Sequence, residues 1–144
     1  MRFSGKVFKD GDFWLGEIPI LDVMTQGHTK EETFTMILDM LKSMINKDSF
    51  QVEIYKGENG NFEISSPTPR HLISLLLQRK RQMSGLSLSQ VASKLGFSSR
   101  NSYARYEQGQ TIPSIGKLGE LLQVFDPNSD IVINNSKALT KTCN

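Results

Sequence analysis

The sequence predicts an α+β protein in which strands and one long helix precede a run of helices. Three observations support this prediction. Apolar and polar residues alternate at 2–8 and again at 50–55, which is the period of half-buried strands. Between these segments, residues 34–45 hold a stripe of apolar side chains at helical spacing. After a linker with two prolines at 65–69, helical patterns alone continue to about residue 125.

The first predicted elements form a hairpin. Phe3 and Val7 alternate with polar residues, and the Asp-Gly pair within residues 9–12 is typical of a tight turn. The segment FWLGEI at 13–18 is therefore predicted to be the returning strand. The segment ILDVM at 20–24 is a third candidate strand.

A capping box predicts where the first helix begins. The Thr29 hydroxyl can accept the backbone N–H of Glu32, and the glutamate carboxylate can reach back to the start of the helix. The apolar stripe then continues to Ile45. The alternating segment at 50–55 and the segment NFEIS at 61–65 follow as two more strands. We therefore expect a small sheet with one helix packed on it.

The linker divides the chain into two predicted domains, residues 1–66 and 67–134, with a loose tail at 135–144. The pattern DIVIN at 130–134 predicts a short strand after the last helix. An isolated strand needs a partner, so it either pairs with its twin in a second chain or packs on its own chain. Twin pairing would make a homodimer, or a dimer of dimers. The candidate dimerisation residues are Ile131, Val132 and Ile133.

Charge is distributed unevenly between the two halves. Residues 1–66 hold 7 Lys/Arg and 11 Asp/Glu, a formal charge of −4, whereas residues 67–144 hold 10 and 4, a formal charge of +6. The basic half is the candidate for binding phosphate backbones. No apolar run is long enough to span a bilayer, and the single cysteine, Cys143, makes no thiolate metal site. We therefore expect a cytoplasmic protein with no cofactor, no metal and no membrane partner.

The stretch GFSSRNSYARYEQG at 96–109 is the candidate DNA-binding site. A helix with a capping box at its start precedes it, and two helices joined by a tight glycine-containing turn make a helix-turn-helix. The second helix of such a pair can lie in the major groove, where arginine can bond guanine and asparagine can bond adenine. Ser89 and Gln90, near the start of the first helix, are candidates for phosphate contact. The candidate DNA-binding residues of the second helix are Ser99, Arg100, Asn101, Ser102 and Arg105.

Residues spread over about 50 positions of the second half carry a recognisable spacing. They are Arg81, Gly85, Leu86, Ser87, Val91, Ala92, Leu95, Gly96, Arg105, Tyr106, Glu107, Gly109, Pro113, Ser114 and Leu118. This half resembles the phage-repressor (Xre-like) helix-turn-helix family, although the turn at 98–102 is one residue longer than the commonest pattern. The resemblance implies binding to double-stranded operator DNA. It also implies an ion pair between Glu107 and Arg81.

A second set of residues carries a resemblance in the first half. They are Phe13, Trp14, Pro19, Thr25, Gln26, Gly27, Thr29, Glu31 and Glu32. This half resembles the N-terminal domain of HicB-type antitoxins of type II toxin–antitoxin systems, although residues 20–24 and His28 depart from the family pattern. The resemblance implies a partial ribonuclease-H-like fold that covers the catalytic surface of a HicA-type mRNA-cleaving toxin. The candidate toxin-binding residues are Trp14, Glu17 and Asp22.

Two other functions compete with an antitoxin that represses its own operon. One is a stand-alone transcriptional repressor whose N-terminal domain senses a ligand or a protein. The other is an enzyme, because ribonuclease H chemistry needs several carboxylates that converge on magnesium. Asp10 and Asp12 belong to the early acidic cluster, but they flank a turn glycine, where turn chemistry explains them. We therefore expect no catalytic residue and no enzymatic activity.

Overall fold

The computed structural model describes residues 1–45, 47–136 and 140–141. The chain divides into two compact units: an N-terminal unit of Met1–Pro69 and Asn135–Asn144, and a C-terminal unit of Arg70–Asn134. The α+β class predicted from the sequence is confirmed. No helix in the described part of the chain is long and apolar enough to cross a membrane.

The N-terminal unit is an antiparallel sheet with one long helix, α1, packed on it. The strand order in the sheet is β3-β2-β1-β5-β4-β6. The elements are β1 (Arg2–Asp10), β2 (Phe13–Ile18), β3 (Val23–Gly27), α1 (Lys30–Ile45), β4 (Glu53–Lys56), β5 (Asn61–Ser65) and β6 (Thr140–Lys141).

Strand alternation gives the sheet two different faces. Val7, Ile18 and Ile64 are buried on the face that α1 covers, where the rings of Phe34 and Phe62 meet edge to face at 5.5 Å. The opposite face, called here the face opposite α1, carries the cross-strand neighbours of β1, β2 and β3. Its central residues are Lys6, Phe8, Leu15, Glu17, Met24 and Gln26.

The third strand lies further along the chain than the sequence predicted. Pro19–Leu21 form a 3-10 turn, and β3 begins only at Val23. Proline fixes its own φ and favours a turn at this position. The N–H of Asp22 then closes the turn onto the Pro19 carbonyl at 3.0 Å, with Asp22 in the left-handed region at φ 49°.

The short strand predicted at 130–134 is wrong for this single chain, because these residues have no regular structure. Instead, β6 pairs with the edge strand β4, so that Lys141 lies opposite Tyr55. A strand forms where backbone partners are available, and the described elements of the C-terminal unit are all helices. The loose tail is likewise corrected for its described residues, since the Ser136 hydroxyl bonds Glu63. The remaining tail residues, 137–139 and 142–144, lie outside the described residues.

The C-terminal unit contains four helices: α2 (Pro69–Ser84), α3 (Leu88–Lys94), α4 (Arg100–Glu107) and α5 (Ile115–Phe125). Their shared core is built from Ile73, Leu77, Val91, Ala92, Tyr103 and Leu121. Ile115, at the start of α5, is 68% exposed. It is the first residue of the helix, capped by Ser114, and so lies beyond the core that centres on Leu121.

Candidate nucleic-acid interface

A tight turn joins α3 to α4. Gly96 lies in the left-handed region at φ 72°, which glycine adopts without steric cost. The Phe97 N–H bonds the Ala92 carbonyl at 2.9 Å, and the Gly96 N–H bonds the Ser93 carbonyl at 3.1 Å. These two bonds make a Schellman motif, which ends α3 and turns the chain toward α4. The Phe97 ring packs against the core beneath the turn.

The start of α3 is fixed by a complete capping box. The Ser87 hydroxyl accepts the Gln90 N–H at 3.1 Å, and Gln90 Oε1 accepts the Ser87 N–H at 2.8 Å. The capping box predicted at Ser87 is therefore confirmed. Because Oε1 is engaged in the cap, the amide nitrogen of Gln90 is the group that remains for an external acceptor. Ser89 and Gln90 are both exposed.

The far end of α4 is tied to α2 through Glu107, which is only 6% exposed. Its carboxylate accepts hydrogen bonds from Arg81 Nε at 2.6 Å and Arg81 Nη2 at 3.1 Å, and from the Tyr103 hydroxyl at 2.7 Å. Its backbone carbonyl accepts the Gln78 amide at 2.8 Å and the Ser74 hydroxyl. The ion pair implied by the resemblance is thus confirmed, and three side chains of α2, those of Ser74, Gln78 and Arg81, hold this end of α4 in place.

Arg81 and Tyr103, the two charged or hydroxyl donors to the Glu107 carboxylate, both keep their protons at neutral pH. The hydrogen bond to Glu107 raises the pKa of the Arg81 guanidinium above its ordinary value. Burial, followed by the hydrogen bond to Glu107, raises the pKa of the Tyr103 hydroxyl far above its ordinary value. Both groups therefore remain donors, so that the Glu107 carboxylate meets donors on both of its oxygens.

The exposed face of α4 presents polar side chains outward. Arg100, Asn101 and Arg105 are exposed, and their side chains make no hydrogen bond or ion pair to any residue within the described ranges. The cap residue Ser99 is exposed, and its hydroxyl lies 3.5 Å from that of the half-buried Ser102. Tyr103 is fully buried in the core, so its ring is not available to stack on a base. The exposed face of α4 therefore combines two guanidinium groups and one amide beside an anchored core face.

The sequence gives the C-terminal unit a positive charge. Residues 70–134 contain 8 Lys/Arg and 4 Asp/Glu, a formal charge of +4. Two of the carboxylates are already paired, Glu107 with Arg81 and Glu120 with Lys117. The cations that face outward from α3 and α4 are therefore Lys94, Arg100 and Arg105. Such a distribution of charge favours the binding of a polyanion to the side of the unit formed by α3 and α4.

The remaining sequence candidates belong to other elements of the chain. Val132 and Ile133 are 78% and 74% exposed, and Ile131 is half-buried. In the N-terminal unit, Trp14 and Glu17 are half-buried and lie on opposite faces of β2, because positions three apart in a strand point in opposite directions. Asp22 is exposed at the end of the 3-10 turn.

Two residues that position Glu107 were not identified from the sequence. Ser74 and Gln78 lie one helical turn apart on α2 and bond the Glu107 carbonyl, 33 and 29 residues away. A serine and a glutamine in a helix give no local signal of such a role. The only available signal was that both lie on the same helix as Arg81.

Among the described residues, no three His, Cys, Asp or Glu side chains come together in a group that could hold a metal ion.

Comparison with known protein families found a match in the C-terminal unit. The family model described as Helix-turn-helix matches residues 77–127, which include the last turns of α2 and all of α3, α4 and α5. The comparison with curated proteins and the comparison with solved structures each found no match. The C-terminal unit therefore contains a helix-turn-helix domain, which supports DNA binding and transcriptional regulation.

Proposed function

We propose that this protein represses its own operon by inserting α4 into the major groove of operator DNA. One observation carries the proposal: α4 is anchored by a buried network at Glu107 while its outer face carries unpaired polar side chains. A rigid helix with an exposed polar face is the element that reads base edges in helix-turn-helix proteins. The match of residues 77–127 to the helix-turn-helix family supports the same reading.

The exposed residues of α4 have the chemistry that base recognition needs. The Arg100 guanidinium can donate two hydrogen bonds to O6 and N7 of guanine, and the Asn101 amide can pair with N6 and N7 of adenine. Both residues lie in the first turn of the helix, which enters the groove first. Arg105 lies further along the same helix and is suited to a phosphate. The α3 residues Ser89 and Gln90 donate to phosphates from the other side of the turn.

Single substitutions test this division of roles. We expect Arg100→Ala and Asn101→Ala each to weaken operator binding by about 1–3 kcal/mol and to relax the preference for one base. Arg105→Ala should weaken binding to all sequences alike and lower the salt dependence by about one phosphate contact. Fluorescence anisotropy with a duplex from the protein's own promoter measures both effects.

The control is Arg70→Ala, which removes an exposed arginine from the first turn of α2 in the same chain. It should leave operator affinity close to that of the wild type. Equal affinity of the wild type, Arg100→Ala and Asn101→Ala would place base recognition outside α4. Thermal melting of each variant verifies that the fold is intact.

We further propose that the N-terminal unit binds and sterically neutralises a HicA-type ribonuclease toxin, so that the protein is an antitoxin as well as a repressor. The resemblance of residues 13–32 to HicB-type antitoxins supports this role, and so does the formal charge of −4 on residues 1–66. A basic RNA-binding toxin is electrostatically matched to such a unit. Neutralisation of this kind needs no catalysis, and both proposed partners agree with the expected cytoplasmic location.

The face opposite α1 is the surface best suited to the toxin. Met24 is 54% exposed there, beside Glu17 on β2, and Phe8 lies directly opposite Leu15. An apolar centre with a carboxylate at its side fits the pattern of a protein-binding hot spot. This choice retains Glu17 from the sequence prediction. It leaves out Trp14, which lies on the other face of β2.

The toxin-binding surface is tested by charge placement. We expect Met24→Asp to weaken toxin binding by about 2 kcal/mol or more, because it puts an ion into a desolvated contact. Met36→Asp is the matched control, since Met36 is 41% exposed on α1. The measurement is titration calorimetry with the toxin that co-purifies with the tagged chain.

Co-purification with the tagged chain separates the antitoxin from its main alternative. A chain that elutes with no ribonuclease but still shifts its promoter DNA would be a stand-alone repressor with an N-terminal sensing domain. Equal toxin affinities of Met24→Asp and Met36→Asp would move the contact away from the face opposite α1.

A further inference from the structure

The C-terminal end of the chain returns to the N-terminal unit after the four helices. Residues 70–134 form the C-terminal unit, and the chain re-enters the N-terminal unit at Asn135. The backbone of β6 then pairs with β4, so that Lys141 lies opposite Tyr55 at the edge of the sheet. We call the described residues of this returning segment, 135–136 and 140–141, the C-terminal strap.

The strap is also bound to the face opposite α1. Arg2 and Glu63 belong to that face, because their neighbours along the strands, Phe3 and Ile64, are buried under α1. The Ser136 hydroxyl donates a hydrogen bond to Glu63 Oε2 and accepts one from Arg2 Nη1 at 3.0 Å. Arg2 and Glu63 also pair directly, at 2.9 Å. The strap is therefore bound to an ion pair on this face.

The Arg2 guanidinium is positioned for this contact by Tyr55 on β4. Its central carbon lies 3.7 Å from the centroid of the Tyr55 ring, and the Tyr55 hydroxyl donates to Glu53 at 2.9 Å. The strap is thus held in two places. The Ser136 side chain contacts β1 and β5, and the backbone of β6 pairs with β4.

The contacts that hold the strap are few and exposed. Strand β6 contains only two residues, fewer than a typical strand. Ser136 is exposed, and hydrogen bonds and ion pairs at the surface contribute little net free energy. The return of the strap also closes a loop through the whole C-terminal unit, which costs chain entropy. A binding partner can therefore displace the strap from the sheet.

The strap lies within reach of a partner bound at the proposed toxin surface. Glu17 lies opposite Lys6 of β1, and Lys6 lies opposite Asn61 of β5, two residues from Glu63. The spacing of strands and the rise along them place Glu63 about 12 Å from Glu17. A standard protein interface covers about 800 Å² on each partner, which is a disc of about 16 Å radius. A toxin centred beside Glu17 therefore overlaps the position of the strap.

Removal of the strap uncovers a carboxylate on this face. Glu63 Oε2 accepts hydrogen bonds from both Ser136 and Arg2. When Ser136 leaves, this oxygen becomes accessible to a cation of the partner. Glu17, on the same face, carries the same charge, so a basic toxin is complementary to both carboxylates.

We infer that the C-terminal strap is an autoinhibitory segment at one end of the toxin-binding face, and that the toxin must displace it in order to bind. The inference deepens the toxin proposal and rests on it. The apparent affinity for the toxin is then the intrinsic affinity reduced to the fraction of molecules in which the strap is open.

A disulfide that locks the strap tests this inference. Tyr55→Cys with Lys141→Cys places two thiols at opposed positions of an antiparallel pair, where the distance between the strands suits a disulfide. Cys143→Ser in the same chain removes the single native thiol, so that no other disulfide forms within the chain. The oxidised and reduced samples of this variant differ in whether the strap can leave the sheet.

We expect the oxidised variant to bind the co-purifying toxin at least roughly tenfold more weakly than the reduced variant does, as measured by titration calorimetry. Ser136→Ala should bind the toxin about threefold more tightly than the wild type, because it loosens the strap and leaves Arg2 and Glu63 in place. Ser129→Ala is the control, since it removes an exposed serine hydroxyl that bonds Asp126 in the C-terminal unit. It should leave the toxin affinity unchanged.

The outcomes separate this inference from the toxin proposal. Equal toxin affinities of the oxidised and reduced samples would overturn the inference and leave the toxin proposal standing. So would a Ser136→Ala protein that binds the toxin no more tightly than Ser129→Ala. A wild-type chain that captures no toxin would contradict the toxin proposal itself, and the inference with it. The fluorescence of Trp14, the single tryptophan, verifies that the N-terminal unit is folded in every sample.

Discussion

Replacing Glu107 by alanine is expected to lower the free energy of unfolding of the C-terminal unit by about 3–5 kcal/mol. The substitution leaves the Arg81 guanidinium without its carboxylate and the buried Tyr103 hydroxyl without its acceptor. Removing one partner of a buried ion pair is more damaging than removing both, since the remaining charge stays desolvated. Urea unfolding followed by circular dichroism measures the loss.

Two control variants isolate the cause. Tyr103→Phe removes one neutral donor and keeps the ring in the core, so it should cost only about 1 kcal/mol. The double variant Arg81→Met with Glu107→Leu removes both charges, and should regain much of the stability lost in Glu107→Ala. A Glu107→Ala protein as stable as Tyr103→Phe would show that the ion pair does not anchor α4.

Replacing Gly60 by alanine is expected to destabilise the N-terminal unit by about 3 kcal/mol, from left-handed backbone strain and steric overlap together. Gly60 has φ 79°, and a Cβ atom there would overlap the backbone carbonyl oxygen of Val7. A backbone atom in a paired strand cannot move aside as a flexible side chain can. The β1–β5 pairing must therefore shift to relieve the overlap.

Gly11 provides the matched control for this substitution. It also has a positive φ, 59°, but a Cβ atom there would meet nothing within 4 Å. Gly11→Ala should therefore cost only the left-handed strain, about 1–2 kcal/mol. Thermal unfolding of both variants gives the difference. Equal losses would mean that the Val7 carbonyl does not restrict this position.

Local sequence signals predicted much of the secondary structure. The strand alternation at 61–65 agrees with β5, and the capping box at Ser87 gave the start of α3. These features depend on residues within one turn or one strand of each other. They are therefore visible without knowledge of the three-dimensional fold.

Features that depend on distant partners were not predictable in the same way. The segment 130–134 has the pattern of a strand, but a strand also needs a neighbour, and the sheet edge of β4 is occupied by β6 instead. The contacts of Ser74 and Gln78 with Glu107 span about 30 residues and leave no periodic trace. The ion pair that anchors the site was predicted because Arg81 and Glu107 match a family pattern. Ser74 and Gln78, which complete the anchor, were not predicted.

Arg100 on α4 is the residue proposed to read bases in the major groove. The most direct measurement is a double-mutant cycle between Arg100→Ala and operator guanines replaced by 7-deazaguanine, which lacks the N7 acceptor in the major groove. The proposal predicts a coupling free energy of about 1–3 kcal/mol at one guanine of each half-site, and none with the control Arg70→Ala. Additive effects at every operator guanine would contradict base reading by Arg100.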